Sequence, residues 1–205
     1  SRNTNRHRFA GKSRQTVVVD AYPELPFEAV MLLGIGRRSD LSPSRLRDAG
    51  ALIVAEATKR RLINVAIQSD ELNEKQCEQL LLGCHLGGYR FDEYQATPED
   101  GGDINVELVT LAGTAHDANI HERAAILAEG VCLSRKLINE PANICTPERM
   151  ADLATEIAQA PGFELTILNR EEITKKGFGG MVAVSQGAAR EPRFIHMSYT
   201  PVGGT

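Results

Sequence analysis

The chain contains no tryptophan, and aromatic residues make up only 5% of its 205 positions. Its core must therefore be aliphatic, and a base-stacking platform for single-stranded nucleic acid is poorly supported. Positive charge is also scarce: 23 Lys and Arg stand against 27 Asp and Glu, a formal net charge of -4. That argues against a generally basic surface, so nucleic acid is not an expected partner. There is no Asn-x-Ser/Thr sequon, no internal repeat of solenoid period, and no apolar run near the ~20 residues of a membrane span. Four cysteines occur, Cys77, Cys84, Cys132 and Cys145, with no Cys-x-x-Cys spacing. Cys77 and Cys84 lie seven apart, about 10 Å along a helix and beyond disulfide reach. They read as buried reduced thiols. Hydrophobic residues at 42% are enough for an ordinary core. The expectation is a soluble intracellular protein with no membrane partner.

What is present is an alternation of strand and helix signals. Thr16-Val17-Val18-Val19 is a β-branched run. Ala29 to Ile35 is continuously apolar and ends at glycines, as in a buried strand covered on both faces. Ser42-Pro43 opens a helix that sets Leu46, Ala49, Gly50, Ile53, Val54 and Ala57 on one face. Leu62–Ile67 reads as a strand. Glu74–Leu86 reads as a helix with Cys77, Leu80, Leu81 and Cys84 inward, ended by Gly87-Gly88. Residues 95–103 form a turn or loop, and Ile104–Leu111 alternates as a strand with one wet face. A long helix follows from about Asp117 to Ile138. Beyond it come a helix Pro147–Gln159, a strand Glu164–Leu168, a helical turn near Asn169, a strand Met181–Val184 and a strand Arg193–Tyr199. This rhythm predicts an α/β protein whose first part is a three-layer αβα domain. The second α/β unit is incomplete, too small to bury a good core by itself.

The stretch Glu140-Pro141-Ala142-Asn143-Ile144-Cys145-Thr146-Pro147-Glu148 is the most informative in the chain. A residue before proline is pushed out of the helical region, so the long helix stops near Glu140. Thr146 then caps a new helix with Pro147 at its first position. A rigid elbow between two helices suits a junction between domains.

Several arrangements that could carry chemistry fall short on spacing. Gly34-Ile35-Gly36-Arg37-Arg38-Ser39 lies between a strand and a helix, as a dinucleotide loop would, but Ser39 replaces the third glycine and no Gly-Lys-Ser/Thr exists. Arg37 and Arg38 leave open an anion or nucleotide site of the ADP-ribose-binding kind. Ala183-Val184-Ser185-Gln186-Gly187 is a relaxed nucleophile elbow, yet only Glu191 and His196 follow, too close to fold back on Ser185. The histidines are His7, His85, His116, His121 and His196. His116 and His121 are off-register for one helix face, and adjacent Cys84 and His85 diverge, so no metal site is recognisable. Arg2, Arg6, His7, Arg8, Lys12 and Arg14 make residues 1–14 basic. That stretch reads as a solvated loop, with the remnant of an organelle-targeting segment as the alternative.

The elbow resembles the domain junction of the leucyl aminopeptidases, also called cytosol aminopeptidases. So do Cys132–Asn143, Thr146-Pro147-Glu148, Gly177–Gly187 and Glu191–Tyr199, while residues 29–111 are more loosely similar to that family's N-terminal domain. The resemblance implies an N-terminal macro-like α/β domain at 1–115, its start truncated. A linker helix and elbow would span 116–145, and the beginning of a truncated catalytic α/β domain 146–205. It also implies a cytoplasmic parent enzyme, or one of mitochondrion or plastid. That parent would assemble as a homo-hexamer and remove N-terminal residues from peptide substrates with two Zn²⁺, Mn²⁺ or Mg²⁺ ions per subunit. The family's Gly-Lys-Gly-x-Thr-Phe-Asp, Met-Lys-x-Asp and Asn-Thr-Asp-Ala-Glu-Gly-Arg segments do not occur here. No catalytic, cofactor-binding or metal residue is therefore carried over, and the chain alone is expected to be inactive, its partner being a remaining catalytic fragment. The alternatives are a non-catalytic structural or assembly homologue and an ADP-ribose- or nucleotide-binding macro-like module.

Overall fold

The computed structural model describes residues 9–95, 105–113, 117, 119–201 and 203. The fold is mixed α/β, and the chain divides into two compact units, Ser1–Lys136 and Leu137–Thr205. In the first, β1 (Thr16–Asp20) and β2 (Ala29–Leu33) pair antiparallel. Helix α1 (Pro43–Lys59) follows. Strand β3 (Asn64–Gln68) then pairs parallel with β4 (Leu108–Ala112), with α2 (Glu74–Gly87) between them in sequence. Parallel neighbours need such a crossover. Helix α3 (Asn119–Asn139) ends the unit and runs into the next.

Local chemistry sets the helix ends. The Ser42 hydroxyl accepts the Arg45 N–H at 3.3 Å, and Pro43 fills the first helical position of α1. At the far end Leu62 N–H reaches the Ala57 carbonyl and Arg61 N–H the Thr58 carbonyl, a closure that forces Arg61 to φ 59°. Asn73 and Gln76 cap α2 reciprocally, each side chain accepting the other's N–H at 3.0 Å. The buried residues of α1 are Leu46, Ala49, Gly50, Ile53, Val54 and Ala57, the face expected from their spacing.

Helices α1 and α2 touch backbone to backbone. A Cβ on Gly50 would lie 2.1 Å from the Leu80 carbonyl oxygen, and one on Gly83 would lie 2.2 Å from that of Arg47. Gly87 meets the Ala51 Cα in the same way, at 2.6 Å. With the helices this close, Ala49, Ile53 and Leu80 form a layer against Met31, Leu33, Ile35, Val65 and Ile67. On the far side of α2, Cys77, Leu81 and Leu82 pack on Ile120, Ala124 and Ala128 of α3. Leu81 and Ile120 are almost wholly buried, each contributing about 1.5–3 kcal/mol by leaving water. Arg135 secures the far end of α3, donating to the Leu86 carbonyl at 3.1 Å with its guanidinium over the Tyr89 ring.

The second unit contains α4 (Pro147–Ile157), β5 (Phe163–Leu168), α5 (Arg170–Lys175), α6 (Gly179–Ser185) and β6 (Phe194–Tyr199), with β5 and β6 antiparallel. Gly162, at φ 92°, lets the chain ends of this pair close: Thr200 N–H donates to its carbonyl at 2.8 Å.

Three expectations are corrected. Met181–Val184 is not a strand but the middle of α6. A four-residue apolar run has no periodicity to separate the two states, and Gly177 decides it. At φ 79° it closes α5, with Phe178 N–H on the Ile173 carbonyl, and the chain re-enters a helix at once. The run Ala29–Ile35 is a strand only to Leu33, and one of its faces is open, with Val30 and Leu32 exposed. Strand β4 begins at Leu108, later than expected, and Ile104 lies outside the described residues. Cys77 and Cys84 are buried thiols outside any disulfide, as expected.

Gly83→Ala is expected to destabilise the chain by about 3 kcal/mol, because the added methyl meets helix backbone that cannot step aside. Gly130→Ala on α3, where a Cβ meets nothing within 4 Å, should stabilise it by about 0.5–1 kcal/mol. Urea unfolding of the two variants checks the opposite signs. Burial pushes the Cys84 thiol up to about 12. A thiol reagent at pH 8 should therefore leave Cys84 unmodified in native protein and modify it after denaturation.

Candidate functional site

The glycine loop after β2 is closed by the chain itself. Gly34 N–H donates to the Gln15 carbonyl at 2.7 Å and Gly36 N–H to that of Gly11 at 3.0 Å. A Cβ on Gly34 would sit 2.2 Å from the Lys12 carbonyl oxygen. The amides that would cradle a phosphate are thus already used by carbonyls. Arg38 pairs with Glu71 at 2.8 Å. Ser39 lies in a 3-10 turn, Arg38–Asp40, not at the start of a long helix.

A cleft of about 810 Å³ lies where the first turns of α1 and α2 approach, lined among others by Ser42, Pro43, Asn73, Gln76, Glu78 and Arg123. Of its two lining cations, Lys75 and Arg123, Arg123 is engaged, bonding Glu78 at 2.8 Å and Asp117 at 3.2 Å.

The serine-hydrolase reading has no geometry behind it. Ser185 ends α6, its hydroxyl donating to the Val182 carbonyl at 3.0 Å and accepting from Arg170 at 3.4 Å. His196 sits on β6 opposite Thr166. Glu191 is held by Arg193, whose hydrogen bond keeps its carboxyl below the usual range.

Among the described residues no group of three or more His, Cys, Asp or Glu side chains could hold a metal ion. His7 and His116 lie outside them. The fold does bring His85 and His121 near each other. Desolvation lowers the His85 pKa first, the neighbouring His121 lowers it further, and Glu129 opposes both. Sequence spacing missed this pair because its members lie on different helices.

The elbow is the most organised of these places. Helix α3 stops at Asn139, and the amides of Ile144 and Cys145 both turn back to the Pro141 carbonyl at 2.9 Å. Buried Thr146 caps α4, accepting the Arg149 N–H at 3.2 Å. Arg190 reaches from the loop before β6 to the Asn143 carbonyl at 3.4 Å. Glu148 is drawn below the usual carboxylate range by its own N–H, then by the Thr146 hydroxyl and the charges of Arg193 and Arg190. Its Oε2 is buried without a hydrogen-bond partner. The charges of Arg193 and Arg190 keep this carboxylate ionised and oppose a further cation beside it. The divalent pair implied by the resemblance therefore does not fit the described residues.

Residues 1–98 match the family model described as the cytosol aminopeptidase family, N-terminal domain, and residues 132–205 match that family's catalytic domain. A probable cytosol aminopeptidase of Alkaliphilus oremlandii is 33% identical over 200 residues, covering 93% of this chain and 40% of the relative. One from Roseiflexus castenholzii is 34% identical, covering 93% and 41%. A mutant tomato leucine aminopeptidase superposes with TM-score 0.79 at 28% identity, over 95% of this chain and 40% of its own. The bottromycin maturation enzyme BotP, solved with Mn, shares the fold with TM-score 0.80 at 24% identity, over 96% and 41%. The chain thus spans about 40% of the length of the curated relatives it matches. Matched by both of the family's domain models and a third identical to its relatives along nearly its whole length, this protein belongs to the cytosol aminopeptidase family.

Proposed function

We propose that the chain is the N-terminal portion of a metal-dependent leucyl aminopeptidase. Its parent removes N-terminal amino acids from peptides with two divalent cations, Zn²⁺, Mn²⁺ or Mg²⁺. Residues 1–115 are a macro-like domain, 116–145 the linker helix and elbow, and 146–205 the beginning of the catalytic domain. The parent is a cytoplasmic homo-hexamer. One observation carries this reading: residues 1–98 match the family's N-terminal domain model and residues 132–205 its catalytic-domain model.

In the parent, such cations would supply Lewis-acid chemistry to the scissile carbonyl and a bound water, and no described residue of this chain is assigned to hold them. This chain's own residues have a supporting part. Pro141 ends the linker helix, Thr146 starts the next, and Arg190 and Glu148 fix the elbow to the loop that enters β6. The nucleotide-binding alternative is disfavoured by the occupied amides of Gly34 and Gly36.

The 205-residue chain should not hydrolyse leucyl p-nitroanilide with or without added Mn²⁺ or Zn²⁺. The parent chain, continued past Thr205, should hydrolyse it, lose activity to a chelator and recover it with metal. Metal-dependent turnover by the 205-residue chain, or none by the continued one, would refute the proposal. Arg190→Ala in the continued chain removes one buttress of the elbow. It should lower kcat more than it raises KM, as expected for a residue that positions without touching substrate.

A further inference from the structure

Helices α1 and α2 touch at Gly50 and Gly83, and a cleft of about 810 Å³ opens between their first turns. Ligand pockets commonly enclose roughly 300–1,000 Å³ and join an apolar wall to a few polar groups. This cleft has both parts. Leu41, Pro43 and Leu46 give it an apolar wall on the α1 side, with Leu46 only 2% exposed. The charged lining residues are Glu74, Lys75, Glu78 and Arg123, two acids and two bases. Glu78 and Arg123 are engaged with each other. Glu74 and Lys75 have no ion-pair partner among the described residues. Both are exposed on the first turn of α2. The walls hold their places without a ligand, because Ser42 caps α1 and the Asn73–Gln76 box caps α2.

The charges decide what fits. A lining with equal numbers of carboxylates and cations favours neither a plain anion nor a plain cation. It is complementary to a zwitterion: an ammonium for Glu74, a carboxylate for Lys75 and an apolar side chain for Leu41, Pro43 and Leu46. Glu74 and Lys75 are neighbours on one turn, about 1.5 Å apart in rise, so the two ends they hold lie close together. A free amino acid has its two charges on either side of one carbon. A peptide of several residues separates its termini by up to about 3.3 Å per residue. We infer that this cleft binds a free apolar α-amino acid of the leucine kind. The parent's proposed reaction releases such molecules, so the site would take the enzyme's own product. That link to the product rests on the peptidase reading, whereas the binding itself does not.

Titrating the 205-residue chain with L-leucine, read by amide NMR shifts, tests this. Saturable shifts are expected at residues 41–46 and 73–79, with a Kd of about 1–10 mM, ordinary for a ligand of about nine non-hydrogen atoms. Glycine, with no side chain for the apolar wall, should bind at least about tenfold more weakly. Lys75→Met and Glu74→Gln, both at exposed positions, should each weaken leucine binding about twofold to fivefold, the range of exposed ion pairs. Leucinamide lacks the carboxylate and should be indifferent to Lys75→Met. N-acetyl-leucine lacks the ammonium and should be indifferent to Glu74→Gln. That crossed pattern assigns each end of the ligand, and a merely structural effect of the substitutions does not produce it. Absence of saturable shifts at these amides up to about 50 mM leucine overturns the inference. So do equal affinities for leucine and glycine, or a leucine affinity that neither substitution changes. The readout is binding to a chain expected to have no peptidase activity. An inactive parent therefore defeats the functional reading alone, and a peptidase whose cleft ignores leucine defeats the site alone.

Discussion

The first unit depends on a helix crossing with no room for a side chain. Gly50 and Gly83 bring the backbones of α1 and α2 together, and that closeness lets one narrow layer of Ala49, Ile53 and Leu80 serve β2 and β3 at once. Larger residues would hold the helices apart and leave voids beneath Met31 and Val65. An aliphatic core tolerates this arrangement well, since small and branched side chains interdigitate where rings would not. The absence of tryptophan and the close crossing are thus two aspects of one packing solution.

Much of this was legible in the sequence, where periodicity and caps are local. Ser42-Pro43, Thr146-Pro147 and the pattern from Leu46 to Ala57 predict their helices, because each signal acts within one or two turns. The identity of α6 was not legible. Met181–Val184 is short and apolar, and its state is decided by how Gly177 closes the preceding helix. The fate of Gly34 and Gly36 was not legible either, since their amides are taken by carbonyls from residues 11 and 15, beyond any motif window. The His85–His121 proximity depends on how α3 lies against α2, which no spacing rule reports.

The candidate sites divide by the same logic. Places that looked chemical from residue type, such as Ser185 and the glycine loop, prove to be saturated by ordinary hydrogen bonds. The elbow looked structural, and the structure gives it the densest polar organisation. Proline stops one helix, threonine starts another, and Arg190 ties the turn to a loop far along the chain. Glu148 sits among these groups with an oxygen left over, and its charge is kept by its own amide and by the guanidinium groups acting on it. A scaffold that must present catalytic groups accurately needs such fixed junctions, and second-layer polar contacts are what hold them.

Helix α6 is the exception to this rigidity. It has seven residues, no side-chain cap at Phe178 and two glycines in its first turn, and Val184 is 87% exposed. A helix of this length cannot sustain itself in water. Its anchors lie at its two ends, where Phe178 stacks on Phe194 of β6 with ring centroids 5.1 Å apart and Arg170 bonds the Ser185 hydroxyl and carbonyl. Residues 177–187 are therefore held at their two ends with little between, and can open locally while β5 and β6 stay paired. Local opening there sets the floor of amide protection in residues 137–205, well below the free energy of unfolding the unit as a whole.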